Sequence, residues 1–226
     1  MKKIFRTSAI VLLLAVGSLT VSAQNTEVPK TNFAKTEVET FDNNKFGWMT
    51  DDKYAKITKG YFALKAKSPK LNNSAKESFK RQFTFKNFEP EEGEINTSAE
   101  LPLDPQKDFK ITIKFQVVKF GGKTEFLTSL DNGVISLFIG QESWSVNNNN
   151  QVMCYGACTV KKKMKISLSI QKNEDNLFFI YNDNLLCTIK IEEISNSILD
   201  LQLKDTYHSH YDPEKEIRID EIVVEQ

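Results

Sequence analysis

The side chains best arranged to hold a ligand stand between Gln141 and Tyr155. Trp144 follows Gln141 and Glu142 and precedes Asn147, the first of four consecutive asparagines, and Tyr155 comes a few residues later. An indole offers a flat apolar face, and the amide and carboxylate groups beside it supply hydrogen-bond donors and acceptors. That mixture suits a sugar ring, which stacks by its apolar face and hydrogen-bonds through its hydroxyls. The competing reading is a tryptophan that caps the edge of a folded core beside a polar loop. Trp48, the other tryptophan, is read as a core residue.

Other groupings are weaker. Both histidines fall in Tyr207–Tyr211, flanked by Asp205 and Asp212. In an extended segment His208 and His210 share a side, and two imidazoles with a carboxylate suit a transition metal. No H-E-x-x-H helix accompanies them, and an exposed loop explains the stretch as well. Asp212, Glu214 and Glu216 are spaced to face one way if extended, but Pro213 and the surrounding charge favour a loop. The three cysteines, Cys154, Cys158 and Cys187, leave at least one thiol without a partner in the chain. Cys154 and Cys158 are spaced to close a small loop in an oxidising compartment, and Cys187 reads as a small core residue. Neither histidine is near the cysteines in sequence, which argues against zinc.

The elements that must position these groups are strands. Phe109 to Val117 alternates without a break, odd positions apolar and even positions polar, as a strand with one buried face does. Met164 to Ile170 alternates as strictly. Asp131–Gly133 and Asn182–Asn184 read as hairpin turns. Structure begins near Thr36–Phe41, and Tyr54–Ile57, Tyr61–Lys65, Phe79–Phe88, Glu125–Leu130, Val134–Ile139, Ser143–Val146, Val152–Tyr155, Leu177–Tyr181, Leu185–Ile191, Ile198–Leu203 and Ile217–Val224 complete the strand candidates. Residues 89–105 are acidic, hold three prolines and read as loop or irregular edge. Helical periodicity is almost absent. Short strands at regular spacing, with turn residues between them, indicate an all-β sandwich or barrel, here a two-sheet antiparallel β-sandwich.

The chain opens with Lys2, Lys3 and Arg6, an apolar run over 10–16 and small residues up to Ala23. This is the layout of a signal peptide, and its apolar run is shorter than the roughly 20 residues a bilayer span needs. We therefore expect cleavage near Ala23, export to the periplasm or medium, a flexible lead-in over 24–35 and a single domain over 36–226. Gln24, not a cysteine, follows the cleavage site, so no lipid anchor is expected. The full chain balances 30 basic against 30 acidic residues, and loss of the leader's three cations takes it slightly negative. Such a chain has no electrostatic reason to bind nucleic acid or an anionic membrane. No later segment is apolar and long enough to span one.

The order of elements resembles the concanavalin A-like lectin/glucanase superfamily, especially exported bacterial laminin-G-like sandwiches. The opening segment Phe41–Trp48, the long strand 109–117, the paired strands Met164 to Thr188 and the closing strand Ile217–Val224 carry the likeness. Ser136–Gly140 keeps only the end of a glycine-rich strand usual at that step. The resemblance implies a jelly-roll sandwich and a candidate structural calcium ion near the chain ends, for which Asp42, Asn43 and Asp220 are the available oxygens. The superfamily's glucanases carry E-x-D-x-x-E on one strand, and this chain has no such motif. The sequence is therefore read as a non-catalytic glycan-binding sandwich, taking an oligo- or polysaccharide at Trp144, Glu142, Gln141, Asn147 and Tyr155. A structural or protein-interaction domain and a glycoside hydrolase-like enzyme are the alternatives.

Overall fold

A computed structural model describes residues 27–50, 55–58, 60–66, 96–120, 124–205 and 215–226. These residues hold fourteen strands: β1 (Thr36–Glu39), β2 (Ala55–Thr58), β3 (Tyr61–Ala66), β4 (Asn96–Glu100), β5 (Phe109–Lys119), β6 (Thr124–Leu130), β7 (Ile135–Gly140), β8 (Ser143–Asn148), β9 (Gln151–Ala157), β10 (Lys165–Asn173), β11 (Asn176–Tyr181), β12 (Asn184–Lys190), β13 (Ile198–Asp205) and β14 (Lys215–Glu225). They build two antiparallel sheets. One has eight strands in the order β12-β11-β10-β5-β14-β3-β2, with β1 also paired to β14. The other runs β4-β13-β6-β7-β8-β9. Among the described residues no helix is long and apolar enough to cross a membrane.

The alternation of β5 sets the packing. Phe109, Ile111, Ile113, Phe115 and Val117 are all at most 1% exposed, as their period of two requires. β5 lies between β10 and β14, with Ile113 opposite Leu168 on one side and Ile222 on the other. Phe115 meets Phe126 of β6 across the sandwich at 4.7 Å between ring centroids, so one apolar core joins the sheets. The hairpins turn where the backbone must take positive φ. Asn182 and Asp183 turn β11 into β12, and Asn149 and Asn150 turn β8 into β9. Both are two-residue turns with positive φ at both central residues, a geometry asparagine tolerates better than most residues. Of the four consecutive asparagines, the first two therefore belong to β8.

The chain ends are tied together. β1 pairs with the last residues of β14, and Lys35 and Gln226 exchange backbone hydrogen bonds of 2.8 and 2.9 Å. Part of the segment read as a flexible lead-in is also engaged: Gln171 of β10 donates through Nε2 to the Pro29 carbonyl at 2.9 Å.

The cysteine pairing differs from the sequence reading. Cys154 of β9 and Cys187 of β12 form a disulfide, with Cα atoms 6.4 Å apart and a sequence separation of 33. β9 and β12 are terminal strands of the two sheets, so the bond joins the sheets along one side of the sandwich. Cys154 does not close a loop with Cys158, and Cys187 is not merely a core residue. Four residues apart in sequence, Cys154 and Cys158 are separated by extended β9, whereas the stacking of the sheets brings Cys187 to Cys154. Cys158 stays a free thiol, half-buried, with Sγ 3.6 Å from the Gly140 carbonyl, and burial pushes its pKa up. A bond closing a loop of this length is expected to contribute roughly 2–4 kcal/mol, mainly by restricting the unfolded chain. Urea unfolding of Cys187→Ser beside the oxidised wild type measures it, and coincident midpoints would show that the bond carries no stability.

Candidate functional site

The face of the six-stranded sheet that points away from the core carries an array of polar groups. Leu199, Leu201 and Leu203 of β13 face the core, which turns Asp200, Gln202 and Lys204 outward. Phe126 and Leu130 of β6 and Leu137 and Ile139 of β7 do the same for Glu125, Leu127 and Ser129, and for Ser136 and Phe138. On β8, Val146 is buried, so Ser143, Ser145 and Asn147 share the outer face.

Register aligns these residues across strands. Ser98 of β4, Asp200, Ser129, Ser136 and Asn147 form one row. Gln202, Leu127, Phe138, Ser145 and Tyr155 form the next. The first row gives hydroxyl, carboxyl and amide groups in succession. The second adds apolar surface and ends on Tyr155, which is 81% exposed. Glu100 of β4 lies opposite Ile198, one outward position along from Ser98, and is therefore the diagonal neighbour of Asp200.

Two features of the first row stand out physically. Ser129 donates from Oγ to Asp200 Oδ2 at 3.4 Å. Burial pushes the Asp200 pKa up from its ordinary value, and the serine hydrogen bond only partly offsets this. Asp200 is thus a carboxyl group biased toward keeping its proton. Asn147 Oδ1 is buried without a hydrogen-bond partner among the described residues, an acceptor left over at the other end of the row.

The structure separates the residues that the sequence grouped. Asn147 and Tyr155 share the outer face. Trp144 stands on the opposite side of β8, partly buried against the core, where its indole packs on Gly156 so closely that a Cβ there would meet it at 2.8 Å. Gln141 and Glu142 form the tight connection between β7 and β8, and their carbonyls accept from Val160 N at 2.9 Å and Cys158 N at 3.0 Å. Asp200, Ser129, Ser136 and Ser145 went unread because they come from four strands. The alternation of Ile198 to Lys204, with Asp200 on the polar side, was the signal that could have found the first of them.

Asp42 accepts from Thr40 Oγ1 at 3.1 Å, while Asn43 and Asp220 are exposed. The acid that organises this loop is Glu39, fully buried, whose carboxylate accepts from Phe41 N at 2.8 Å and Phe46 N at 2.7 Å. Among the described residues no three His, Cys, Asp or Glu side chains gather as a metal site. Glu216 accepts from Arg218 Nε at 2.7 Å. The side chains of Asp205, His208, His210, Asp212 and Glu214, the segment Phe79–Phe88 and the leader with its Ala23 boundary lie outside the described residues.

No protein-family model matches the chain, and no curated protein matches it in sequence. Solved structures match its fold. The carbohydrate recognition domain of Emp47p aligns with a TM-score of 0.57 at 8% identity, over 87% of this chain and 99% of that one. A structure from work on human gut microbiota that express endo-acting O-glycanases to initiate mucin breakdown aligns at 0.59 and 10%, over 86% and 99%. The laminarinase catalytic domain from Thermotoga maritima aligns at 0.56 and 12%, over 86% and 98%. An alginate lyase and the Crh5 transglycosylase share the fold as well. The expectation of a non-catalytic chain is corrected by these neighbours, most of which are enzymes acting on carbohydrate. The chain has the jelly-roll, concanavalin A-like sandwich that recurs among lectins and carbohydrate-active enzymes, without a sign of a specifically laminin-G-like family.

Proposed function

We propose that this chain is a carbohydrate-active enzyme that lays a glycan along the outer face of the six-stranded sheet and cleaves a glycosidic bond there. The observation that carries the reading is Asp200, a half-buried carboxyl group that accepts from Ser129 Oγ within a hydroxyl- and amide-lined row and whose pKa burial pushes up. General acid catalysis needs such a group, because the leaving oxygen must take a proton as its bond to the anomeric carbon breaks. Glu100 is the second carboxyl. Diagonal neighbours on adjacent strands lie about 7–8 Å apart at Cα, a spacing from which two carboxyls can flank one bond. In this scheme Asp200 protonates the leaving oxygen and the Glu100 carboxylate directs water or itself to the anomeric carbon. Water's remaining proton restores the acid–base pair. Serine and asparagine side chains along the row take sugar hydroxyls, and Tyr155 offers a stacking surface at its end. Enzymes and a lectin domain built on the same sandwich support this choice of substrate class.

The test is incubation of the purified chain with laminarin, mucin glycans and alginate, followed by an assay for new reducing ends or unsaturated products. Product from at least one is expected. Glycan binding without product from any would reject the enzyme and keep the binding face. Calcium held by Asp42, Asn43 and Asp220 belongs to the same proposal as a structural ion. Binding to the folded state alone would raise the melting temperature as free calcium rises, and a temperature that ignores millimolar calcium removes the site. Export is proposed on the leader, and N-terminal sequencing of secreted material should begin near Gln24.

A further inference from the structure

The outer face of the eight-stranded sheet holds two apolar side chains that lie outside the core. Leu177 and Phe179 of β11 point into the core, and Phe178 and Ile180 alternate with them onto the other side. An outward pair of this kind is wet unless something lies over it. Phe178 is nonetheless 3% exposed and Ile180 8%. Register sets Gln171 of β10 beside Phe178, and Ser169 beside Ile180. Thr112 of β5 follows Ser169 in the same row, and the two hydroxyls are hydrogen-bonded at 2.9 Å. Gln171, Ser169 and Thr112 are buried too. The covered area is therefore one continuous patch across β5, β10 and β11.

The N-terminal lead-in reaches this patch. Gln171 Nε2, the donor to the Pro29 carbonyl, also donates to Thr31 Oγ1 at 3.4 Å, and Asn173 Nδ2 donates to the same hydroxyl at 3.4 Å. Between Pro29 and Thr31 the lead-in thus advances from Gln171 to Asn173. Followed backward, its course leads toward Ser169, between Thr112 and Ile180. Val28 and Pro29 are half-buried while Glu27 and Lys30 are exposed, so the apolar side chains are the ones drawn out of water. Counted from Gln24, five residues precede Pro29, and fully extended they reach about 17 Å. From Gln171 back to Ser167, β10 covers about 13 Å.

We propose that Gln24 to Thr31 form a strap along β10 that covers Phe178 and Ile180. The occupant is the chain's own N-terminal segment because Gln171 and Asn173 already pin it, its course leads over the patch and its length suffices. Removal of the leader near Ala23 then leaves a strap matched to the strand beneath it, and a cut within the strap bares an apolar face. This inference does not depend on the proposed activity.

Trypsin tests it on the chain that begins at Gln24. Lys30 is exposed, so resistance of the bond after it reports docking of the backbone and not concealment of the side chain. Cleavage there is expected to be about tenfold or more slower than in a free peptide of residues 24–35. Gln171→Ala removes the donor to Pro29 and should speed the cut about fivefold, since proteolysis follows the open population and one net hydrogen bond contributes about that factor. Its circular dichroism should match the wild type. Loss of residues 24–30 should bring binding of an apolar-surface dye, as Phe178 and Ile180 lose their cover. Wild-type cleavage at the peptide rate would overturn the proposal. So would a natively folded Gln171→Ala chain cut at the wild-type rate, or a cut chain that binds no dye.

Discussion

Asp200→Asn is expected to lower glycan turnover by about 10²–10⁴-fold, the usual contribution of a positioned general acid. An amide can still accept from Ser129 Oγ, so the local hydrogen bond survives while the transferable proton is lost. Wild-type activity should fall as pH rises through the raised Asp200 pKa, because only the protonated form donates. The stability effect runs the other way. A carboxyl whose folded pKa is raised favours the folded state below its unfolded pKa and loses that contribution as pH climbs through the folded value. The asparagine variant should therefore be at least as stable as the wild type at neutral pH, and this advantage should vanish on acidification below the ordinary Asp range. Steady-state kinetics and urea unfolding on the same preparations read both effects. A variant that turns over at the wild-type rate removes Asp200 from the mechanism. Gained stability with lost activity is the pattern expected of a residue kept for function.

Trp48→Ala should destabilise the fold by about 3–5 kcal/mol, the range for removing a large buried aromatic. Trp48 is 2% exposed and packs on Phe62 at 5.9 Å between ring centroids, and Phe62 packs in turn on Phe41 at 5.5 Å. Asn44 fixes its backbone twice, accepting from Trp48 N at 2.7 Å and donating to Trp48 O at 3.0 Å. Truncation would empty one end of this group without releasing the loop that holds it, so little collapse can fill the space. Trp48→Phe should lose much less, since the indole Nε1 is buried without a partner among the described residues and phenylalanine has no such group to leave unsatisfied. Urea midpoints order the three proteins. An alanine variant that unfolds at the wild-type midpoint would show that this ring group carries none of the stability assigned to it.

The parts of this fold written in local alternation were legible in the sequence. β5 and β10 follow their period of two, and Asn182–Asp183 turns where hairpin chemistry places it. Trp48 also sits in the core as its surroundings suggested. Other features depend on which strands become neighbours. Asp200, Ser129, Ser136 and Asn147 are scattered over about seventy residues and meet only through sheet register. Trp144 shows the opposite failure. Ser143, Ser145 and Asn147 alternate with Trp144 and Val146, so the strand's own pattern put the indole on the apolar side. Its proximity in sequence to polar residues obscured that it faces away from them.

The bond between Cys154 and Cys187 skips a thiol. A chain delivered from its N-terminus presents Cys154 and Cys158 together, with Cys187 still 29 residues behind Cys158. The first disulfide within reach of an oxidant is then the wrong one, and its correction requires thiolate exchange once Cys187 arrives. The finished sandwich half-buries Cys158 and keeps its pKa high, so the native link is not readily attacked from within. Yield of correctly linked protein should thus depend on thiolate exchange before the sheets close.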